Sequence, residues 1–301
     1  MESSSSEVPP PRPEDGKCAI DDSADEDEES AQMMRIKSAD QYRTKHDKKK
    51  GIRVQEILPF HFSPIFLPLT ESHLESTLAL ENAAFTNPSH RCSRDKLAYR
   101  LAHCSDISFG LFCTVKPSEA KAFGLETVDA ANLVETNRED GAVHALFAHA
   151  VSTLGKGPVV TDADMDYPKN WREHGAVKDT TVGHQEEGRT ICLHSFAVSP
   201  KLQGTGVGKL AMRSYIQIMN ESGVADRIAI ICQDYLIPFY RKFGFQNLGE
   251  SKATFGGGGW YDMVLDLGGP PHPERDHPQG HLRHWSMVGK RPSESKESEA
   301  A

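Results

Sequence analysis

Residues Thr190–Val198 read TICLHSFAV, Ser199–Leu202 read SPKL, and Gln203–Gly208 read QGTGVG before a helical pattern begins. Nine residues, six of them apolar, followed by Ser-Pro predict a buried strand closed by a turn. From Val207 to Ser222 the apolar residues Leu210, Ala211, Tyr215, Ile218 and Met219 fall on one stripe, which predicts a helix packed on one side. The first backbone N–H groups of a helix have no intrahelical acceptor, and the helix dipole favours an anion there. Glycines ahead of that point let the backbone approach a phosphate without a Cβ in the way. The stretch is therefore a candidate phosphate or pyrophosphate cradle; a glycine loop that only turns the chain is the plain alternative.

Two other phosphate loops fit less well. A Rossmann loop places its glycines directly off the strand, with an acid at the end of the next strand. Here Ser199–Leu202 intervenes, and Asp226 precedes the next strand. A P-loop needs a hydroxyl after Gly-Lys, and Gly208-Lys209 is followed by Leu210.

Downstream, Arg227–Cys232 predicts a strand, Tyr235–Phe243 a short helix, and Phe245 with Tyr261–Leu267 the last strands, linked tightly at Gly256–Gly259. Upstream, Ile65–Leu69, Ser108–Val115 and Val143–Thr153 predict strands. Helices are expected from Thr70 or Ser72, carrying Leu74, Leu78 and Phe85, and from Ser93, carrying Leu97, Leu101 and Ala102. Lys116–Ala142 reads as a long polar hairpin loop. Gly155–Gly188 reads as a polar insert lying over or beside the binding site, since long structureless loops tend to be functional. Asp162, Asp164 and Asp166 lack the glycine and final glutamate of a calcium loop, and no metal site is expected.

The chain has 301 residues and a net charge of −9, which argues against a general nucleic-acid binder. Residues 1–51, with an acidic run and then Lys48–Lys50, and residues 269–301 hold few apolar side chains and are expected to be disordered. That leaves 52–268 for one α/β domain. The six cysteines form no Cys-x-x-Cys pair, and no apolar run approaches twenty residues. A cytoplasmic protein with reduced thiols and no membrane contact is the expectation.

Gln203-x-x-Gly206-x-Gly208 after Phe196-Ala197-Val198 resembles the acetyl-CoA motif of the GNAT superfamily of N-acetyltransferases. Ile237–Phe245 (IPFYRKFGF) resembles the superfamily's downstream Phe-Tyr-x-x-x-Gly-Phe signature. With Leu193–Val198, Cys232–Tyr240 and Leu101–Ser108, the chain resembles the arylalkylamine (serotonin) N-acetyltransferases and their fungal relatives over roughly Phe66–Leu267. The resemblance implies a mixed, mostly antiparallel sheet splayed in the middle and flanked by helices, with acetyl-CoA in the splay. It implies direct attack of a primary amine in a ternary complex, the acceptor being an arylalkylamine such as serotonin or tryptamine. A polyamine acceptor, a protein amine, and an idle acetyl-CoA-binding module are the alternatives.

The roles implied by the resemblance are specific. Phe196, Ala197 and Val198 bind the pantetheine arm, and Gln203, Gly204, Thr205, Gly206, Val207, Gly208 and Lys209 hold the pyrophosphate. Tyr240 is the acid toward the departing thiolate, His194 helps take the ammonium proton, and Phe196 and Ile231 line the amine pocket. The family carries two histidines on this strand, and Cys192 stands at the first. A thiol does not replace imidazole as a proton carrier near neutral pH, which leaves His194 with solvent or another group. The plainer reading puts His194 in the core, on one strand face with Cys192 and Phe196. His144 and His149 read as structural, Phe85 as helix-to-core packing, and Cys192 and Cys232 as small buried residues.

Overall fold

The computed structural model describes residues 53–130, 133–173 and 181–268; the two tails expected to be disordered lie almost wholly outside them. The strands are β1 (Pro64–Pro68), β2 (Phe109–Val115), β3 (Val134–Glu135), β4 (Val143–Gly155), β5 (Thr190–Val198), β6 (Arg227–Cys232), β7 (Gln246–Glu250) and β8 (Tyr261–Asp266). They form one open sheet in the order β1-β2-β4-β5-β6-β8-β7, with β3 against β4. Every pairing is antiparallel except β5 with β6. That parallel ladder registers only Thr190↔Arg227, Ile191↔Ile228 and Cys192↔Ala229, although β5 continues six residues further, to Val198. β6 stays paired to β8 through Cys232, so the two central strands part beyond Cys192. The expected splay lies here.

Helix α1 (Leu74–Ala84) is entered through a 3-10 turn whose capping box closes on Thr70 and His73. In α2 (Arg94–His103), Ser93 caps the first turn by accepting from the Lys96 N–H at 3.3 Å. The segment expected to be a plain hairpin loop contains α3 (Pro117–Phe123), started by Pro117 and stopped by left-handed Gly124, and the short β3. Its polar composition concealed a surface helix with one fully buried alanine, Ala120. The insert likewise contains a short helix, α4 (Asp162–Met165), capped by Thr161. The glycine loop leads into α5 (Val207–Ser222), and α6 (Ile237–Arg241) follows β6.

Helix α5 buries Val207, Gly208, Ala211, Met212, Tyr215, Ile216 and Met219. Successive residues turn by about 100°, so Leu210 falls off the side of that row and is exposed rather than part of the expected stripe. Tyr215 locks the helix to the sheet, its hydroxyl lying 2.6 Å from Ser152 Oγ and donating to Ile107 O at 2.9 Å. Both bonds are fully buried.

A bulge interrupts β4–β5. Pairing runs from Ala148↔Val198 to Val151↔Ser195, then resumes at Ser152↔Leu193, so His194 has no partner across the ladder. Alternation along β4 puts Ser152 on the α5 face of the sheet and Val151 and Thr153 on the α1 face. Cys192 pairs with Thr153 and Ser195 with Val151, which sets both on the α1 face. Phe196, paired with Ala150, is on the opposite face. The expected common face for Cys192, His194 and Phe196 is thus corrected by one extra residue, a recurrent means of re-aiming a side chain.

Tyr215→Phe is expected to cost about 1–3 kcal/mol, because it leaves the buried Ile107 carbonyl and Ser152 hydroxyl short of a partner. Urea denaturation measures this; a loss under about 0.5 kcal/mol contradicts the anchoring role.

Candidate active site

The glycine loop begins where β5 ends. Gly204 and Gly206 take left-handed conformations at φ 74° and 97°, which a side chain at either position would strain. Nothing lies within 4 Å of the point where a Cβ would stand on Gly204, so the loop has open space beside it. The Gln203 side chain donates to Val198 O at 3.3 Å, and the Thr205 hydroxyl donates to Leu202 O at 2.6 Å. These bonds fix the turn against the end of β5. The first intrahelical bond of α5 runs from Leu210 N to Gly206 O, and no acidic residue occupies the first turn. The amides at Val207 and Gly208 therefore sit where the helix supplies no acceptor and favours an anion.

On the α5 face, Phe196 lies 6.2 Å from Phe239, which meets Tyr240 edge-on at 5.2 Å; Tyr240 in turn contacts Phe245 at 5.5 Å. The Phe-Tyr signature thus packs as one aromatic row against β5, with Tyr240 buried. Phe85 is partly buried against the main core, as expected.

The opposite face holds His194. Its Nε2 lies 2.7 Å from Thr153 Oγ1 and its Nδ1 3.0 Å from Met165 Sδ. Met165 belongs to the insert, so the insert contacts His194. Burial, then the positive charges of Arg100 and Lys96, hold the imidazole well below its ordinary pKa. His194 is accordingly neutral near pH 7. The Arg100 guanidinium is itself buried, donating to Met165 O at 3.0 Å and lying 3.5 Å from Cys92 Sγ. Ile231 packs with Phe255 against Val160, Met165, Cys192 and Ala229. The two residues expected to share the amine pocket, Phe196 and Ile231, are therefore in different clusters.

Cys192 and Cys232 are buried, with thiols pushed up chiefly by burial, Cys232 to about 12. Both therefore keep their protons near neutrality and neither relays one there. Among the described residues no group of three or more His, Cys, Asp or Glu is placed to hold a metal, and no helix is long and apolar enough to cross a membrane.

A second polar cluster was missed by the sequence reading. Ser195 Oγ donates to Glu81 Oε2 at 2.6 Å, and His149 Nε2 lies 2.9 Å from Ser195 Oγ and 3.3 Å from Glu81 Oε2. The only signal was a histidine inside an otherwise apolar strand, which reads equally well as structural.

Residues 173–267 match the family model described as an acetyltransferase (GNAT) domain. This part of the chain is a GNAT acetyltransferase domain. Among curated relatives, the chain is similar to the serotonin N-acetyltransferase of Mesocricetus auratus, 31% identical over 86 residues, covering 29% of this chain and 42% of that protein. It is also similar to that of Macaca mulatta, 26% identical over 106 residues, covering 35% of this chain and 52% of the relative. The chain thus spans about half the length of the curated relatives it matches. Among solved structures, the loading GNATL domain of CurA from Lyngbya majuscula aligns with TM-score 0.45 and 11% identity, over 68% of this chain and 98% of that one. The ribosomal-protein-S18-alanine N-acetyltransferase of Escherichia coli aligns with TM-score 0.37 and 14% identity, over 68% and 94%.

The insert is tied to the GNAT sheet by a second neutral histidine. His184 Nδ1 accepts the Leu154 N–H at 3.1 Å, while the His184 N–H donates to the Tyr99 hydroxyl at 3.0 Å. Burial lowers the His184 pKa, as it does that of His194. With folded values below the unfolded value of about 6.5, their contribution is complete above that pH and is lost as pH falls toward the folded values. Thermal denaturation is expected to shift downward on going from about pH 7.5 to about pH 5.5. His184→Gln, whose amide oxygen still accepts, should flatten part of that shift; an unchanged slope contradicts the assignment.

Proposed function

We propose that the protein transfers the acetyl group of acetyl-CoA to the primary amine of an arylalkylamine, by direct attack in a ternary complex. The observation that carries this reading is the parting of β5 and β6 beyond Cys192, beside a left-handed glycine loop at a helix start. A thioester arm lying in that gap has the backbone of Phe196, Ala197 and Val198 along one side, as an added strand would. Its pyrophosphate meets the amides from Gly204 to Lys209, with Gln203 bracing the loop.

Tyr240 is proposed as the acid that protonates the departing thiolate. His194 is proposed to face the incoming amine from the other side of the sheet, its ring fixed by Thr153 and Met165. An acid and an amine-side group on opposite faces suit a reaction in which the amine enters and the thiolate leaves on opposite sides of one carbonyl carbon. The apolar wall of Ile231, Val160, Met165 and Phe255 next to His194 supports an aromatic acceptor over a polyamine, which needs several carboxylates along its length. The names of the curated relatives favour the same class. The five described cysteines are all buried free thiols, which supports a cytoplasmic setting.

Purified protein with acetyl-CoA should release CoA with tryptamine and phenethylamine faster than with spermine or a lysine peptide. Tyr240→Phe should lower kcat by about 100-fold or more while acetyl-CoA affinity stays within a factor of about two. Turnover confined to spermine would move the substrate, and binding of acetyl-CoA without turnover on any amine would make the chain an idle binding module.

A further inference from the structure

We infer that His149, backed by Glu81 and Ser195, takes the proton that the acceptor ammonium must lose before it attacks; the inference rests on the acetyltransferase reading above. An alkylamine is nearly all ammonium at neutral pH and has no lone pair to attack with, so some group must hold that proton. The question is which lone pair is available.

It is not readily that of His194. A thioether sulfur accepts but does not donate, so Nδ1–H of His194 points at Met165 Sδ, and Nε2 accepts the Thr153 hydroxyl. Both ring nitrogens are engaged. Arg100 and Lys96 add positive charge on that side, which opposes an imidazolium and an approaching ammonium alike.

The neighbouring cluster has the opposite character. Ser195 donates its hydroxyl hydrogen to Glu81 Oε2, so its oxygen is left to accept from His149 Nε2–H, which also faces Glu81 Oε2. The second carboxylate oxygen, Oε1, accepts the Cys92 N–H at 2.8 Å. Burial raises the Glu81 pKa, but the bonds from His149, Ser195 and Cys92 outweigh it and leave the carboxyl below its ordinary value. An ionised carboxylate thus fixes the imidazole tautomer, as in other acid–histidine pairs. His149 Nδ1 then carries the lone pair, and it is buried with no hydrogen-bond partner among the described residues. A buried polar atom left unpaired is costly, a cost that a transient proton-accepting role explains. Beside the cluster, the Cys92 thiol is kept neutral by burial, which pushes it up to about 11, and the charges of Arg100 and Lys96 on α2 act on that thiol. From β2 only Gly110 stands opposite His149.

The step balances. His149 Nδ1 takes one ammonium proton, and the freed nitrogen lone pair forms the C–N bond to the acetyl carbon. The C–S bond then breaks and the thiolate takes the Tyr240 proton. The second proton lost by the nitrogen restores Tyr240, and the proton on His149 passes to solvent after product leaves.

The test compares His149→Gln, Glu81→Gln and His194→Gln on tryptamine, with acetyl-CoA affinity and thermal denaturation as checks on folding. His149→Gln is expected to lose about 100-fold or more in kcat and the acidic limb of the pH–rate profile, with acetyl-CoA affinity kept. It should recover most of that loss with a fluorinated alkylamine already unprotonated at neutral pH, which a merely structural role would not allow. His194→Gln should turn over more slowly yet keep the acidic limb. If His149→Gln does not fold, Glu81→Gln carries the same pair of readouts. A wild type active on amines, with the acidic limb intact in His149→Gln and in Glu81→Gln, overturns the inference alone. A wild type inactive on every amine overturns the acetyltransferase reading, and the inference with it.

Discussion

The site depends on a ladder that stops. β5 and β6 are held together at Thr190, Ile191 and Cys192, and beyond that point each strand keeps only its outer neighbour, β4 on one side and β8 on the other. Unpaired strand edges inside a sheet are costly unless something else satisfies them. A gap there is tolerable where a ligand with its own amide groups lies in it. The gap also sets where everything else can be. The glycine loop follows β5 after the short turn Pro200–Leu202, α6 follows β6 after the short turn Asp234–Leu236, and the Phe-Tyr signature on α6 folds back onto Phe196. The two motifs are far apart in sequence and adjacent to one opening because both begin at the ends of the strands that part.

The bulge at His194 is the second constraint. Without it, strict alternation would put Cys192, His194 and Phe196 on one side and Ser195 on the other. With it, His194 and Ser195 both turn toward the face covered by α1, α2 and the insert. This face carries the charged chemistry: Glu81, His149, Arg100 and Lys96. The α5 face is aromatic and aliphatic, built on Tyr215, Phe196 and Phe239. The sheet thus separates an apolar side from a polar one, and β5 presents both to the same gap.

Much of this was legible in the sequence. β5, α5 and β6 fall on the residues expected, because each is a strong apolar pattern, with Pro or Gly close to the ends of β5 and α5. The helices from Thr70 and Ser93 were marked by their caps. What escaped had physical reasons. A bulge is one unpaired residue and leaves no periodic trace in a run that is apolar on both faces. The Glu81–His149–Ser195 cluster joins residues 68 and 46 positions apart, and no local pattern encodes that meeting. Helices α3 and α4 are only seven and four residues long, so their composition reads as loop. The insert stood out by its length, but only the fold brings Met165 to His194.

Amide hydrogen exchange with and without acetyl-CoA tests the central claim most directly, since it reads the gap itself rather than turnover. The account predicts that acetyl-CoA slows exchange at Phe196–Val198 and across Gly204–Lys209, while the paired segment Thr190–Cys192 changes little. Protection that appears elsewhere and leaves both segments unchanged would contradict it.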